Sequence, residues 1–214
     1  MLLFDAHSHL PALGTRSPAQ VRVICGTCEA DWEAVLAHAA SEAQVIPMLG
    51  LHPWFVAAAQ PGWEARLDTL LGVHRTGVGE CGLDFARETT DRLAQEQAFR
   101  LQLRLAHARR RPVAIHAVRA WGRLLDLLRE EGVPPAGALV HAFSGSPETV
   151  AALRAMGVFL SFSPEGLNPA RTKIQEALRA VPSSHLLLET DGGGDLERVI
   201  GAAATLRGVA PEDL

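Results

Sequence analysis

Residues 2–9 read Leu-Leu-Phe-Asp-Ala-His-Ser-His, a short apolar run that ends in a pair of histidines. Short apolar runs recur along the chain, and longer stretches with helical patterning lie between them. Strands that alternate with helices predict a parallel sheet, and an eightfold repeat favours closure into a (β/α)₈ barrel, an α/β fold of the TIM type. With 214 residues, this would be a small TIM barrel.

The predicted elements cover most of the chain. Strands are predicted at Leu2–Asp5, Val21–Cys25, Val45–Leu49, Gly77–Gly79, Val113–Ile115, Ala138–Val140, Phe159–Phe162 and Leu186–Leu188. Helices are predicted at Asp31–Glu42, Gly62–His74, Asp91–Arg110, Ala120–Glu131, Pro147–Met156 and Pro169–Val181. The clearest helix is Asp91–Arg110, because Leu93, Gln97, Leu101 and Leu105 recur in it at helical spacing. An open doubly wound sheet is the alternative fold, but no G-x-G-x-x-G follows the first strand to mark its dinucleotide-binding form.

Composition and charge narrow the class of protein. The chain is 48% hydrophobic and contains no low-complexity linker, so we predict one folded domain over residues 1–214. Its net charge of −4 is unlike that of proteins that coat duplex DNA, although bound divalent cations can supply positive charge locally in a nuclease. No apolar run is long enough to cross a bilayer, and the start of the chain lacks a signal-peptide pattern. We therefore expect a cytoplasmic protein that does not enter a membrane, and no feature marks an obligate protein partner.

The cysteines Cys25, Cys28 and Cys81 are predicted to be reduced, because their number is odd and no secretory signal is present. Cys25 and Cys28 form a C-x-x-C. We interpret the pair as free thiols and not as a redox centre, because the pattern alone is weak.

Six side chains of metal-binding types follow strand-like runs: His7, His9, Glu80, His116, His141 and Asp191. Residues two apart in a strand point to the same side, so His7 and His9 can reach one ion. Asp5 has the same parity and is expected to orient one of these imidazoles. A barrel forms its active site at the carboxyl ends of its strands, and we expect the six side chains to converge there.

The residue types indicate the chemistry of this cluster. Four imidazoles and two carboxylates suit Zn²⁺, Mn²⁺ or Co²⁺ better than an all-oxygen calcium site. Glu80 lies between glycines that leave its backbone uncrowded, and its carboxylate can bridge two ions. Asp191 closes the last strand on the same side as Glu189, where it can bind metal and accept a proton from metal-activated water. The pattern predicts a hydrolytic metal centre.

These segments resemble the TatD family of metal-dependent hydrolases, within the amidohydrolase-like barrels. The matching segments are D-A-H-S-H-L at 5–10, G-L-H-P at 50–53, G-E-C-G-L-D at 79–84, P-V-A-I-H at 112–116, H-A-F-S-G-S at 141–146 and L-L-L-E-T-D at 186–191. They occur in the family's order. The resemblance implies a (β/α)₈ barrel that holds two or three divalent ions, which are Zn, Mn, Mg or Co.

The resemblance also implies a role for each residue. One ion is held by His7, His9 and Asp191, the second by His116 and His141, and Glu80 bridges them. The histidine of G-x-H-P, His52, is expected to contact the substrate's phosphate. Many relatives carry H-x-R after the fifth strand, whereas here Arg119 stands three residues after His116, from where it is expected to contact phosphate. The implied reaction is hydrolysis of single-stranded DNA from its 3′ end, with Glu80 and Asp191 as the catalytic residues and Asp191 as general base.

Two other functions stay open. Some relatives deacylate D-aminoacyl-tRNA, so the centre could serve another ester hydrolase, and the low aromatic content of 5% with no tyrosine is consistent with that function. The third possibility is a metal-binding relative with weak catalysis. It is favoured by the run Gly192–Gly194, which indicates a shortened loop after Asp191. Ala210–Asp213 resembles a helix start, yet the sequence ends at Leu214, so we expect the C-terminal helix to be absent.

Overall fold

The computed structural model describes residues 3–10, 20–87 and 91–214. Eight strands form one sheet in sequence order, and each described pair of neighbours is parallel. The strands are β1 (Leu3–Ser8), β2 (Gln20–Cys25), β3 (Val45–Leu49), β4 (Gly77–Asp84), β5 (Val113–Val118), β6 (Ala138–Val140), β7 (Phe159–Phe162) and β8 (Leu186–Leu188). This order excludes the doubly wound alternative, in which the strand order reverses at a switch point.

Helices follow the strands and cover the outside of the barrel. Those in the described part of the chain are α1 (Glu29–Ser41), α2 (Trp63–Val73), α3 (Arg92–Arg109), α4 (Trp121–Glu131), α5 (Pro147–Ala155), α6 (Thr172–Ala180) and α7 (Leu196–Arg207). Each buries an apolar stripe; α4, for example, buries Leu124, Leu127 and Leu128. Spacings of three and four residues place these leucines on one face, and their burial drives the helix onto the sheet. No helix among the described residues is long and apolar enough to cross a membrane.

The barrel closes where the end of β8 meets β1. The backbone N–H of Asp191 donates to the carbonyl of His7 at 3.1 Å. Thr190 donates to the buried Asp5 carboxylate from its backbone N–H at 2.9 Å and from its hydroxyl at 2.6 Å, and Gln20 Nε2 donates to it from β2. The prediction that Asp5 orients an imidazole is therefore wrong. Its carboxylate turns toward Thr190 and Gln20, where it holds β1, β2 and the end of β8 together.

The predicted strands are confirmed, and the differences lie at their ends. Leu2 lies outside the described residues. β4 and β5 run past the predicted ends at Gly79 and Ile115, and their extensions pair side by side. Gly82 permits this pairing, because its φ is +141° and a Cβ there would clash with the carbonyl oxygen of His116.

Helix α3 is confirmed, but the predicted repeat does not form its buried face. Leu93 is 62% exposed and Leu101 is 40% exposed. The face toward the barrel consists of Gln95, Ala98, Phe99, Gln102, Leu103 and Ala106. Two series in this helix recur at helical spacing, and the buried one contains two glutamines that make it look polar. The more hydrophobic series was therefore predicted to be buried, whereas the structure buries the other one.

The C-terminal end of the chain contains one helix that the sequence analysis did not predict. The helix-like start at Ala210 forms only a 3-10 turn, Pro211–Asp213. Before it, α7 follows β8, and this helix was not predicted. Its run of small residues around Gly201 obscures the apolar period, whereas its N-terminus is fixed by Asp195, whose side chain accepts from Glu197 N–H.

Candidate metal centre

The six predicted side chains meet at the carboxyl ends of the strands, around Glu80. This carboxylate is buried, and its oxygen Oε2 lies 3.3 Å from the Nε2 atoms of both His7 and His9. The other oxygen, Oε1, lies 2.8 Å from His116 Nδ1 and 2.8 Å from His141 Nε2. Asp191 joins the Oε2 side, where its Oδ1 lies 3.6 Å from His9 Nε2. The Glu80 carboxylate is therefore flanked by two sets of donors.

Cys25 at the end of β2 fixes the orientation of His7 and His9. Its carbonyl oxygen lies 3.1 Å from His9 Nδ1. A carbonyl only accepts, so the ring proton of neutral His9 is on Nδ1 and its Nε2 lone pair faces the centre. The Cys25 thiol lies 3.4 Å from His7 Nδ1, and this contact holds the position of that ring. The sequence suggested no role for Cys25, and all three cysteines are free thiols as predicted.

Carboxylates hold the outer nitrogens of the other two histidines. His116 Nε2 lies 3.4 Å from Asp84 Oδ2, and His141 Nδ1 lies 3.3 Å from Glu189 Oε1. Glu189 is fully buried and also accepts from Ala142 N–H and from a serine hydroxyl of β7. Such contacts fix the tautomer of a metal-binding imidazole. The G-L-D match contains Asp84, and the shared parity with Asp191 pointed to Glu189, but neither pattern shows which histidine is contacted.

His52 has the opposite tautomer. Its Nδ1 accepts from the backbone N–H of Trp54 at 3.1 Å, so its ring proton is on Nε2, which lies 3.2 Å from Glu80 Oε1. Burial lowers the pKa of His52, which keeps the ring neutral. Its distances to Glu80 and His116 are compatible with metal ligation. However, an N–H group points into the site, and this makes His52 a hydrogen-bond donor.

Opposite charges are paired within the buried cluster. Burial disfavours the Glu80 carboxylate, but His141 and the other imidazoles around it hold its pKa well below the usual range. Burial likewise opposes a charge on His9, yet contacts with Asp191 and Glu80 raise its pKa to about 10. Burial also opposes a charge on Asp191, but the contact with His9 and the charges of His141 and His7 together lower its pKa. Imidazolium groups thus balance the carboxylates, as buried charges require.

The donor set fits divalent cations. Two pairs of imidazole nitrogens face each other, 3.4 Å apart for His7 and His9 and 3.2 Å apart for His116 and His141, with a Glu80 oxygen beside each pair. Nitrogen and carboxylate donors suit Zn²⁺, Mn²⁺ and Co²⁺, and a bound cation takes the place of the protons that such groups otherwise share. The residues that approach closely enough to share an ion include His7, His9 and Asp191 as one set and His7, Glu80 and His141 as another.

A cavity of about 420 Å³ opens onto the cluster. At its rim, Trp54 and Phe55 are 41% and 37% exposed. Trp54 is held in place because its indole N–H donates to Asp84 at 2.6 Å and the Arg87 guanidinium lies over its ring at 3.5 Å. Arg119 does not line this cavity. It lies exposed in a neighbouring groove, with a left-handed φ of +52°.

A parallel eight-stranded barrel with imidazoles and carboxylates gathered at its strand ends belongs to the class of barrels that hold metal ions in this position. The chain belongs to the TatD family, because the family model described as TatD related DNase matches residues 4–193.

Relatives and solved structures agree with this assignment. The chain is 36% identical over 146 residues to the 3′-5′ ssDNA/RNA exonuclease TatD of Klebsiella pneumoniae, a match that covers 66% of this chain and 55% of the relative. It is 32% identical to the uncharacterized metal-dependent hydrolase YabD of Bacillus subtilis over 53% of this chain and 45% of the relative. The chain thus spans about half the length of these curated relatives.

Among solved structures, YjjV, a TatD homolog from Escherichia coli, superposes with a TM-score of 0.85 at 24% identity, over 92% of this chain and 82% of that one. A TatD family hydrolase from Entamoeba histolytica gives a TM-score of 0.84 at 15% identity, over 99% of this chain and 93% of that one. At these identities, the two structures support the fold alone.

Proposed function

We propose that the chain is a metal-dependent phosphodiesterase that removes nucleotides from the 3′ end of single-stranded DNA, and that it acts in the cytoplasm as one hydrolase domain over residues 1–214. The observation that carries the proposal is the position of Glu80, whose two oxygens face two separate donor sets. The names of curated relatives, which specify single-stranded DNA or RNA, support the substrate class.

Two divalent ions of Zn, Mn, Mg or Co fit these sets. One would be held by His7, His9, Glu80 and Asp191, and the other by Glu80, His116 and His141. Such ions stabilise charge on a phosphoryl oxygen and make water a stronger nucleophile at neutral pH. Cys25, Asp84 and Glu189 keep the outer nitrogens of these histidines occupied, so that the inner nitrogens stay aimed at the centre.

Asp191 is the residue best placed to take a proton from the attacking water. It lines the cavity, and its side chain is 40% exposed, whereas Glu80 is buried. The contact with His9 lowers the pKa of Asp191, so it is ionised and able to accept. The carboxylate Oδ1 lies 3.6 Å from His9 Nε2, so it faces the donor set that would hold the first ion.

His52 and the aromatic rim would bind the substrate. Because the proton of neutral His52 is on Nε2, this residue can donate to a phosphate oxygen in the cavity. Trp54 and Phe55 offer exposed rings at the cavity entrance, where an unstacked terminal base can pack. Stacking of bases on aromatic side chains does not depend on sequence, as an exonuclease requires.

The test is digestion of a single-stranded DNA labelled at its 3′ end by metal-loaded protein. Wild type should release the label with metal present and not with chelator. Asp191→Asn should reduce the rate by orders of magnitude, whereas Asp126→Asn, an exposed aspartate on α4, should leave it unchanged. Bound metal without release of the label would reject the nuclease assignment and favour another ester hydrolase or a catalytically weak metal-binding protein.

A further inference from the structure

A second groove, of about 510 Å³, opens at the same end of the barrel. Segments that follow β4, β5, β6 and β7 line it, and all of them leave the carboxyl ends of their strands. Arg119 lies three residues after His116, and Ser144 lies three residues after His141. The groove therefore adjoins the half of the metal centre that these two histidines form.

The groove is lined by cations. Arg119 and Lys173 are exposed, and neither side chain makes a hydrogen bond or an ion pair with the residues that the structure describes. Arg171 also lines the groove and pairs with Glu165. Glu148, near the start of α5, interacts through charge with Lys173. Neither Arg119 nor Lys173 forms an ion pair among the described residues, and Glu148 acts on Lys173 only at longer range, so the groove offers positive charge to a ligand.

An aromatic ring and a hydroxyl complete the groove. Trp121 is half-buried and lines the groove, and its ring is held in place by packing at 4.9 Å against that of Phe143. Ser144 adds a hydroxyl. Grooves that bind single-stranded nucleic acid combine cations along the backbone with rings on which bases stack. The first turn of α6 also lines the groove and contributes the positive end of its dipole.

We propose that this groove binds the sugar–phosphate backbone of the single strand whose 3′-terminal phosphodiester lies at the metal centre. Arg119 and Lys173 each neutralise one phosphate, and Trp121 stacks on a base. The proposal rests on the proposed function and adds to it: the strand leaves the centre over the β5–β7 side of the barrel, away from Trp54 and Phe55.

The test is binding of a fluorescein-labelled twelve-residue oligothymidylate to metal-loaded protein over a range of salt concentrations, with a cleavage-resistant phosphorothioate at the 3′-terminal linkage. Each phosphate contact contributes about 0.7 to the slope of log affinity against log salt for a single strand. Arg119→Gln/Lys173→Gln should therefore lower the slope by about 1.4. Over a tenfold rise in salt, wild type should lose about 25-fold more affinity than this variant.

The matched control is Arg75→Gln/Arg110→Gln. These exposed arginines precede β4 and β5, so they lie at the opposite end of the barrel, and Arg110 has the same φ of +52° as Arg119. The control should retain the wild-type slope. Trp121→Leu should weaken binding at least about fivefold and leave the slope unchanged, because stacking releases no counterions.

Any of three results would contradict the proposed role of the groove. These are a wild-type slope in Arg119→Gln/Lys173→Gln, an equal decrease of the slope in the control, and tighter binding of a duplex of the same length. Turnover of bis(4-nitrophenyl) phosphate, which is too small to span the groove, separates this failure from failure of the proposed function. If the protein hydrolyses the small diester but does not use the groove, only the role of the groove is rejected. If the protein hydrolyses neither the small diester nor single-stranded DNA, the proposed function is rejected as well.

Discussion

Replacing Gln102 with leucine should lower the free energy of unfolding by about 2–6 kcal/mol, because two backbone groups would lose their partner. Gln102 lies on the buried face of α3, where its Oε1 accepts from Leu51 N–H at 2.7 Å and its Nε2 donates to the Leu51 carbonyl at 3.1 Å. Leu51 is 1% exposed, so water does not replace these bonds. Each buried group left unsatisfied costs about 1–3 kcal/mol, and leucine fills most of the glutamine volume, so the cavity term is small.

The matched control is Gln97→Leu, the same substitution on the exposed side of the same helix. It should change stability by no more than about 0.5 kcal/mol. Urea unfolding of the metal-free protein measures both variants, and a shift in midpoint at constant m-value gives the difference. Because Leu51 precedes His52, Gln102→Leu should also lower kcat/KM for the proposed nuclease reaction. If the free energies of unfolding of the two variants differ by less than about 0.5 kcal/mol, the hydrogen bonds between Gln102 and Leu51 do not stabilise the fold.

Three further predictions concern the centre and the core. Glu80→Gln should bind divalent ions far more weakly than wild type while unfolding with an unchanged m-value. Calorimetric titration with Zn²⁺ or Mn²⁺ measures the affinity, and a wild-type value would contradict this prediction. Cys25→Ala should weaken metal binding by about tenfold, because His7 loses its thiol contact, whereas Cys28→Ala should bind metal as wild type does. If the two variants bind metal with equal affinity, Cys25 does not orient His7. Phe99→Ala should lower the free energy of unfolding in urea by about 3–5 kcal/mol, and Leu101→Ala by about 1 kcal/mol or less. The reverse order would mean that the predicted repeat of Leu93, Gln97, Leu101 and Leu105 forms the buried face of α3.

The barrel and the site were predictable because one geometrical rule governs both. Parallel strands in a barrel all end at the same mouth, so a histidine or carboxylate after each run must approach the others. His7, Glu80 and His141 lie far apart in the sequence and share contacts for this reason. The resemblance added the roles of individual residues, which spacing alone does not give.

The parts that could not be predicted depend on side-chain partners. Nothing in the sequence around His52 shows that a backbone N–H two residues later sets its tautomer. The carboxylate of Asp5 could have turned toward His7 or toward Thr190, and both choices fit the strand period. Arg119 keeps its charge near the mouth, but its left-handed backbone and exposed position place it in a separate groove.

The most direct test of the central claim is an anomalous-scattering map of crystals grown with Zn²⁺ or Mn²⁺. Two peaks are expected, one on each side of the Glu80 carboxylate, the first in contact with His7 and His9 and the second with His116 and His141. His52 should contact neither ion. A single peak ligated by His52, or ions bound only away from Glu80, would contradict the bridged centre on which the proposed function depends.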